Sequence, residues 1–240
     1  AGGPDRALLL LPRRSALVVR SCDPHTLTTN DAHAINKSVR QHPCGRYGAA
    51  IQLMVPIVYS IPEGLESALH KFKDWGVSYR WLALPLGSIV SEFLAHHLGC
   101  IERVVGGIDT AGLTPTGGKR DFVPLETMIN AVTEWPLEWD FGLLETARDG
   151  RPARGSLDPS FYSLGAGRHV TNQAILLVDD TWTTGATIAS AAQRLHLAGA
   201  RSVVALTIGR QLGAGWGNSD DLIESSRNRP FPADGCVLCG

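Results

Sequence analysis

The sequence predicts an α/β protein, a parallel sheet flanked by helices, and three observations carry that expectation. Ala174-Ile175-Leu176-Leu177-Val178 is too short for a helix and too continuous for a half-exposed strand, so it reads as a buried parallel strand. Ile188, Ala191, Ala192, Leu195 and Ala198 then recur at helical spacing, with Gly199 suited to a C-terminal cap. Val203 to Ile208 is a second short strand. Together they make a βαβ unit, whose ligand site belongs outside the carboxyl ends of the strands.

The bulk properties agree with one domain. The chain has 240 residues and is 44% hydrophobic, enough for a substantial core. Its 22 basic and 23 acidic residues leave a formal charge of −1, so no direct nucleic-acid binding is expected. Apolar runs fall short of a transmembrane length, and Leu8 to Leu11, stopped by Pro12, is too brief for a signal-peptide core. The expectation is a cytoplasmic protein without membrane contact.

Taken in order, residues 1–50 read as an irregular N-terminal segment with one short strand at Leu17-Val18-Val19. The core spans 51–210. Ile51 to Tyr59 is a strand, and Pro56 marks it as an edge. Leu65, Leu69 and Phe72 make an amphipathic helix, and Leu82, Leu86, Ile89, Val90 and Phe93 continue a helical period to His97, with Gly99 as its cap. Ile101 to Val105 reads as a strand and residues 109–121 as a loop. Phe122, Leu125, Ile129 and Val132 rebuild a helix; residues 145–160 read as a loop. Residues 211–240 are a C-terminal extension packing on the core.

The chemistry concentrates after the motif strand. Asp179 and Asp180 stand at its carboxyl end, and Thr181, Thr183, Thr184, Gly185, Ala186 and Thr187 lead into a helix. Backbone N–H groups and the dipole at a helix N-terminus favour a phosphate. Two carboxylates would repel that anion, so they suit hydroxyl groups instead. A sugar phosphate meets both demands, its ribose hydroxyls on Asp179 and Asp180 and its 5-phosphate on the threonine loop.

Asp-Asp-Thr-Trp-Thr-Thr-Gly-Ala-Thr, residues 179–187, resembles the phosphoribosyl-diphosphate (PRPP) motif of type I phosphoribosyltransferases. Residues 57–210 further resemble the ComF-like branch of that family, through Ala68-Leu69-His70-Lys71-Phe72-Lys73, the diacid motif and the closing Ile208-Gly209-Arg210; the tail Arg229-Pro230-Phe231 to Cys236 is similar too. The resemblance implies a type I phosphoribosyltransferase-like sheet with a hood from the termini. It implies Mg²⁺ at Asp179 and Asp180, directly or through water, and transfer of the phosphoribosyl group to a nucleobase or amine acceptor. It allows a homodimer. The alternative is a non-catalytic PRPP or nucleotide sensor, or a partner-binding module, on the same fold.

Diphosphate needs a tight turn after another strand and nearby cations. Val105-Gly106-Gly107-Ile108 is the candidate turn, although relatives read Val-Pro-Ser there. Arg148, Arg151 and Arg154, or Lys119 and Arg120, supply the charge; Lys73 is a weaker source. Trp182 is expected to pack beneath the loop rather than stack on a base. Five cysteines are too few for a disulfide scaffold. Cys236-Val-Leu-Cys239 has the spacing of half a zinc site, which Cys22 and Cys44, near His25 and His42, would complete as a structural Zn²⁺. The paired Cys-x-x-Cys knuckles common at the start of relatives are missing from residues 1–50, so no N-terminal zinc ribbon is expected.

Overall fold

The computed structural model describes residues 47, 50–60, 64–116, 122–215, 220, 223–224 and 238. Strand β1 (Leu53–Ser60) is followed by helix α1 (Leu65–Asp74), a 3₁₀ helix (Val77–Leu82) and the long helix α2 (Ala83–Val105). Then come β2 (Thr110–Leu113), α3 (Pro124–Asn130), β3 (Trp139–Asp140) and β4 (Leu144–Thr146). A 3₁₀ turn (Pro159–Phe161) precedes β5 (Tyr162–Leu164), β6 (Ala174–Trp182), α4 (Ala186–Leu197) and β7 (Ser202–Gln211).

Five strands form one parallel sheet in the order β1-β7-β6-β2-β3, and β4 pairs antiparallel with β5 in a separate ribbon. This is the expected α/β class. The period-two alternation of the central strands sets the layers. Ile175 and Leu177 of β6, with Val203 and Ala205 of β7, face α4 through Ile188, Ala192 and Leu195. Leu176, Val178, Val204, Leu206 and Ile208 face the other way, onto α1, α2 and α3. Ala174 to Val178 are fully buried, as a strand covered by helices on both faces must be. Pro56 lies on β1, at the sheet edge, where its missing N–H disturbs no further ladder.

Four expectations are corrected. Residues 101–105 are not a strand; they are the last turn and a half of α2. Val90, Leu94, His97, Ile101 and Val105 are all buried at three- and four-residue steps, and that stripe carries the helix through Gly99. The cap is Gly106 instead, at φ +80°, whose N–H bonds the Glu102 carbonyl at 2.8 Å. The strand falls later, at Thr110–Leu113, inside the segment read as loop. Leu143 presses its Cδ2 to 2.5 Å from where a Cβ on Gly112 would stand, so any side chain there would require Leu143 to shift. Part of the stretch read as a loop at 145–160 is also ordered, in β4 and the 3₁₀ turn. The helical stretch Val77–Val105 is long and apolar enough to cross a bilayer, and its buried side packs on the sheet. The expected strand at residues 17–19 and most of the terminal hood segments lie outside the described residues.

The connections position the site. From β2 the chain moves outward to β3, and from β6 it moves the opposite way to β7. Loops leaving the carboxyl ends of β6 and β2 therefore diverge, and a crevice opens between them.

Candidate functional site

A cavity of about 430 Å³ fills that crevice. Asp179 and Asp180 form its floor, the loop from Thr181 to Thr187 one side, and Thr114-Pro115-Thr116 the side after β2. Helix α1 contributes Glu66, His70 and Lys73, and the segment before the 3₁₀ turn contributes Arg151 and Arg154.

The diacid is electrostatically asymmetric. Asp180 pairs with the Lys73 ammonium, each side chain 16% exposed. Its backbone N–H donates to Asp179 Oδ1 at 2.9 Å. Burial pushes the Asp179 carboxyl up to about 8, and the charge of Asp180 adds to the shift. Lys73, the Asp180 N–H and Arg151 oppose it without cancelling it. The protonated form of the Asp179 carboxyl is thereby favoured, beside the Lys73–Asp180 ion pair. Burial and the Asp179 charge likewise raise the Tyr162 phenol.

The adjoining loop is shaped around Trp182. That ring is buried and meets Tyr47 edge-on at 6.3 Å between centroids, so it packs beneath the loop. Gly185, at φ +76°, sits directly on it; a Cβ there would be 2.2 Å from Trp182 Cζ2. Gly185 is also the N-cap of α4, with no side-chain cap and no acid in the first turn. Among the described residues, no capping side chain therefore serves the leading N–H groups of this twelve-residue helix, whose first residues line the cavity. Thr183 Oγ1 donates to Gln211 Oε1 at 2.8 Å, and Gln211 Nε2 donates to Glu66 Oε1 at 2.5 Å.

Across the crevice, the Thr114 N–H donates to the Val178 carbonyl at 2.9 Å and fastens the turn to β6. The Thr114 hydroxyl is buried without a hydrogen-bond partner among the described residues. Such a group calls for a ligand or water.

The sequence-predicted residues divide. Asp179, Asp180, Thr181, Thr183, Thr184, Gly185, Ala186, Thr187, Arg151 and Arg154 meet at the cavity. Val105, Gly106, Gly107 and Ile108 do not: they join the C-terminus of α2 to the start of β2, at the amino end of the sheet. Arg148 turns away, binding Asp158 at 2.5 Å and stacking on Phe161 at 3.7 Å. Lys119, Arg120, Cys22, Cys44, Cys236 and Cys239 lie outside the described residues. Thr114 to Thr116, Glu66 and Gln211 were missed. A turn rich in Thr and Pro after a strand was the available signal for the first, and it was hidden by misplacing β2. Glu66 and Gln211 stand 145 positions apart with no local pattern linking them.

Among the described residues no cluster of three or more His, Cys, Asp or Glu side chains could cage a metal. Asp179 and Asp180 are hard oxygen donors, and one or two carboxylates plus substrate oxygens suit Mg²⁺.

Fold and site together define an α/β protein with a polar switch-point cavity. No protein-family model matches the chain, and no curated protein matches it. Among solved structures it is similar to a hypoxanthine phosphoribosyltransferase from Staphylococcus aureus, with 17% identity, 58% of this chain and 83% of that chain covered, and a TM-score of 0.32.

Proposed function

We propose that this protein binds PRPP with Mg²⁺ and transfers the phosphoribosyl group to a small nucleobase or amine acceptor, as its resemblance to the ComF-like branch of the type I phosphoribosyltransferases implies. One observation carries the proposal: the diacid and the uncapped N-terminus of α4 open onto a single cavity at the switch point. A ligand answering both must carry hydroxyls and, a few bonds away, an anion.

In this reading the ribose hydroxyls rest on Asp179 and Asp180, and the 5-phosphate on the loop from Thr183 to Thr187. Arg151 and Arg154 face the diphosphate from the wall they line, and Thr114 to Thr116 supply the turn first sought at Gly106-Gly107. Bound Mg²⁺ would neutralise the leaving diphosphate. The C1–oxygen bond breaks with its electrons going to diphosphate, the acceptor nitrogen closes the new C1–N bond, and that nitrogen's proton passes to solvent. Positive charge grows on the ribose ring meanwhile, and the ionised Asp180 offsets it. The reading carries a cytoplasmic location with it, where PRPP is found.

Calorimetric titration with PRPP and Mg²⁺ tests the proposal. The expected result is saturable binding that Asp179→Asn with Asp180→Asn abolishes. Heatless titration, or a curve that the double variant leaves unchanged, would contradict it. Binding with no diphosphate release for any acceptor would favour the sensor alternative.

A further inference from the structure

The two polar walls of the cavity differ in character. Arg151 and Arg154 come from the segment leading to Phe161 and Tyr162, on the α4 face of the sheet. Helix α1 reaches the cavity from the opposite face. Its Glu66, Leu69, His70 and Lys73 are three, four and seven residues apart, which puts them on one stripe facing the crevice. Lys73 is committed to Asp180. Glu66 is committed by half. Its Oε1 accepts from the Gln211 amide, which the Thr183 hydroxyl fixes in turn. Its Oε2 is buried and has no hydrogen-bond partner among the described residues. His70 stands 3.6 Å from Oε1, outside hydrogen-bond range and at the other oxygen.

A carboxylate oxygen withheld from water and left without a donor is costly, and it asks for an N–H. PRPP cannot satisfy it. Its phosphates are anions that Glu66 repels, and its ring hydroxyls already have Asp179 and Asp180. Of the two reactants, the second substrate is therefore the one that can supply a donor. We infer that Glu66 is the acceptor-recognition residue, and that the acceptor is a neutral or cationic N–H donor, an amino-bearing heterocycle or an amine, rather than a carboxylate-bearing ring. This rests on the phosphoribosyl-transfer reading of the site. Gln211 holds the carboxylate in place and ties it to the loop that takes the 5-phosphate. A carboxylate-bearing acceptor would bring a second negative charge against this wall, where the one ammonium is already paired.

The experiment compares the intact protein with Glu66→Gln and Glu66→Asp. PRPP affinity is read by calorimetry, and diphosphate release is read with adenine, benzimidazole and ammonium as donor probes and with orotate and nicotinate as carboxylate probes. PRPP affinity is expected to stay within about twofold in both variants, which also reports that they fold. Release is expected with a donor probe and with neither carboxylate probe. The acceptor kcat/KM should fall at least about tenfold in Glu66→Gln, the loss of one charge-assisted hydrogen bond, and recover in part in Glu66→Asp. Release with orotate or nicotinate, no release with any probe while PRPP binds, an unchanged kcat/KM in Glu66→Gln, or a loss of PRPP affinity in that variant would each overturn the assignment. Failure of the unmodified protein to bind PRPP would instead remove the phosphoribosyl reading on which it rests.

Discussion

The two ends of the same strands use the same kinds of residue to opposite effect. At the amino end of β2 and β6, Arg201 reaches Asp109 Oδ2, the Val105 carbonyl and the Asn172 carbonyl, each at 3.3 Å. Asp109 Oδ2 also accepts the Ala174 N–H at 2.7 Å. Gly106 and Gly107 there give their N–H groups to Glu102. At the carboxyl end, Asp179 is driven toward its protonated form, Thr114 and Glu66 each hold a buried oxygen without a partner among the described residues, and α4 begins without a side-chain cap. One end is a finished staple and the other is incomplete without a ligand. Glycines, an acid and an arginine occur at both, so residue type alone does not say which end works; satisfaction of the polar groups does.

The sharpest way to break the contrast is at the diacid. Asp179→Asn with Asp180→Asn should lower diphosphate release at least about a hundredfold, with loss of PRPP affinity, in an acceptor-saturated assay. Gly185→Ala comes next. The added methyl meets the Trp182 ring at a positive φ, so we expect about 3 kcal/mol of lost stability in urea unfolding. Gly107→Ala, at φ +99° with nothing within 4 Å of the new methyl, should cost only about 1–2 kcal/mol and leave ligand binding intact.

The pH dependence separates the ends more gently. The folded Asp179 carboxyl titrates near 8, well above the ordinary range. Between those values the folded chain binds a proton that the unfolded chain has lost. Stability is therefore full at low pH, declines as pH rises, and levels once Asp179 has ionised. Urea midpoints of the ligand-free protein should fall from pH 5.5 to 8.5, and Asp179→Asn should flatten the trend. Arg201→Ala is the smallest effect, roughly 1 kcal/mol of stability with PRPP affinity unchanged, because it removes a half-exposed staple remote from the cavity.

Legibility in the sequence followed the same division. The β6–α4–β7 unit was readable because strand period, helix period, Gly185 and Gly199 all agree. Strand β2 was not, since four residues containing Gly112 carry too little apolar pattern to outweigh the threonines and prolines around them. The strand expected at 101–105 was drawn from a true apolar run whose partner was a helix face, and only burial on that face distinguishes the two. Gly99 and Gly106 both look like caps; the backbone turns left-handed at Gly106 alone. Glu66 and Gln211 could not be paired by reading along the chain, because only the parallel packing of β1 and β7 brings α1 over the end of β7.

Backbone amide shifts under titration with ribose 5-phosphate test the central claim most directly, since they report both ends of the sheet at once. The account predicts saturable shifts at Gly185, Ala186 and Thr187, smaller ones at Thr114 and Thr116, and none at Gly106, Gly107 or Asp109. Shifts concentrated at the amino end, or a spectrum unmoved at Gly185 to Thr187, would contradict it.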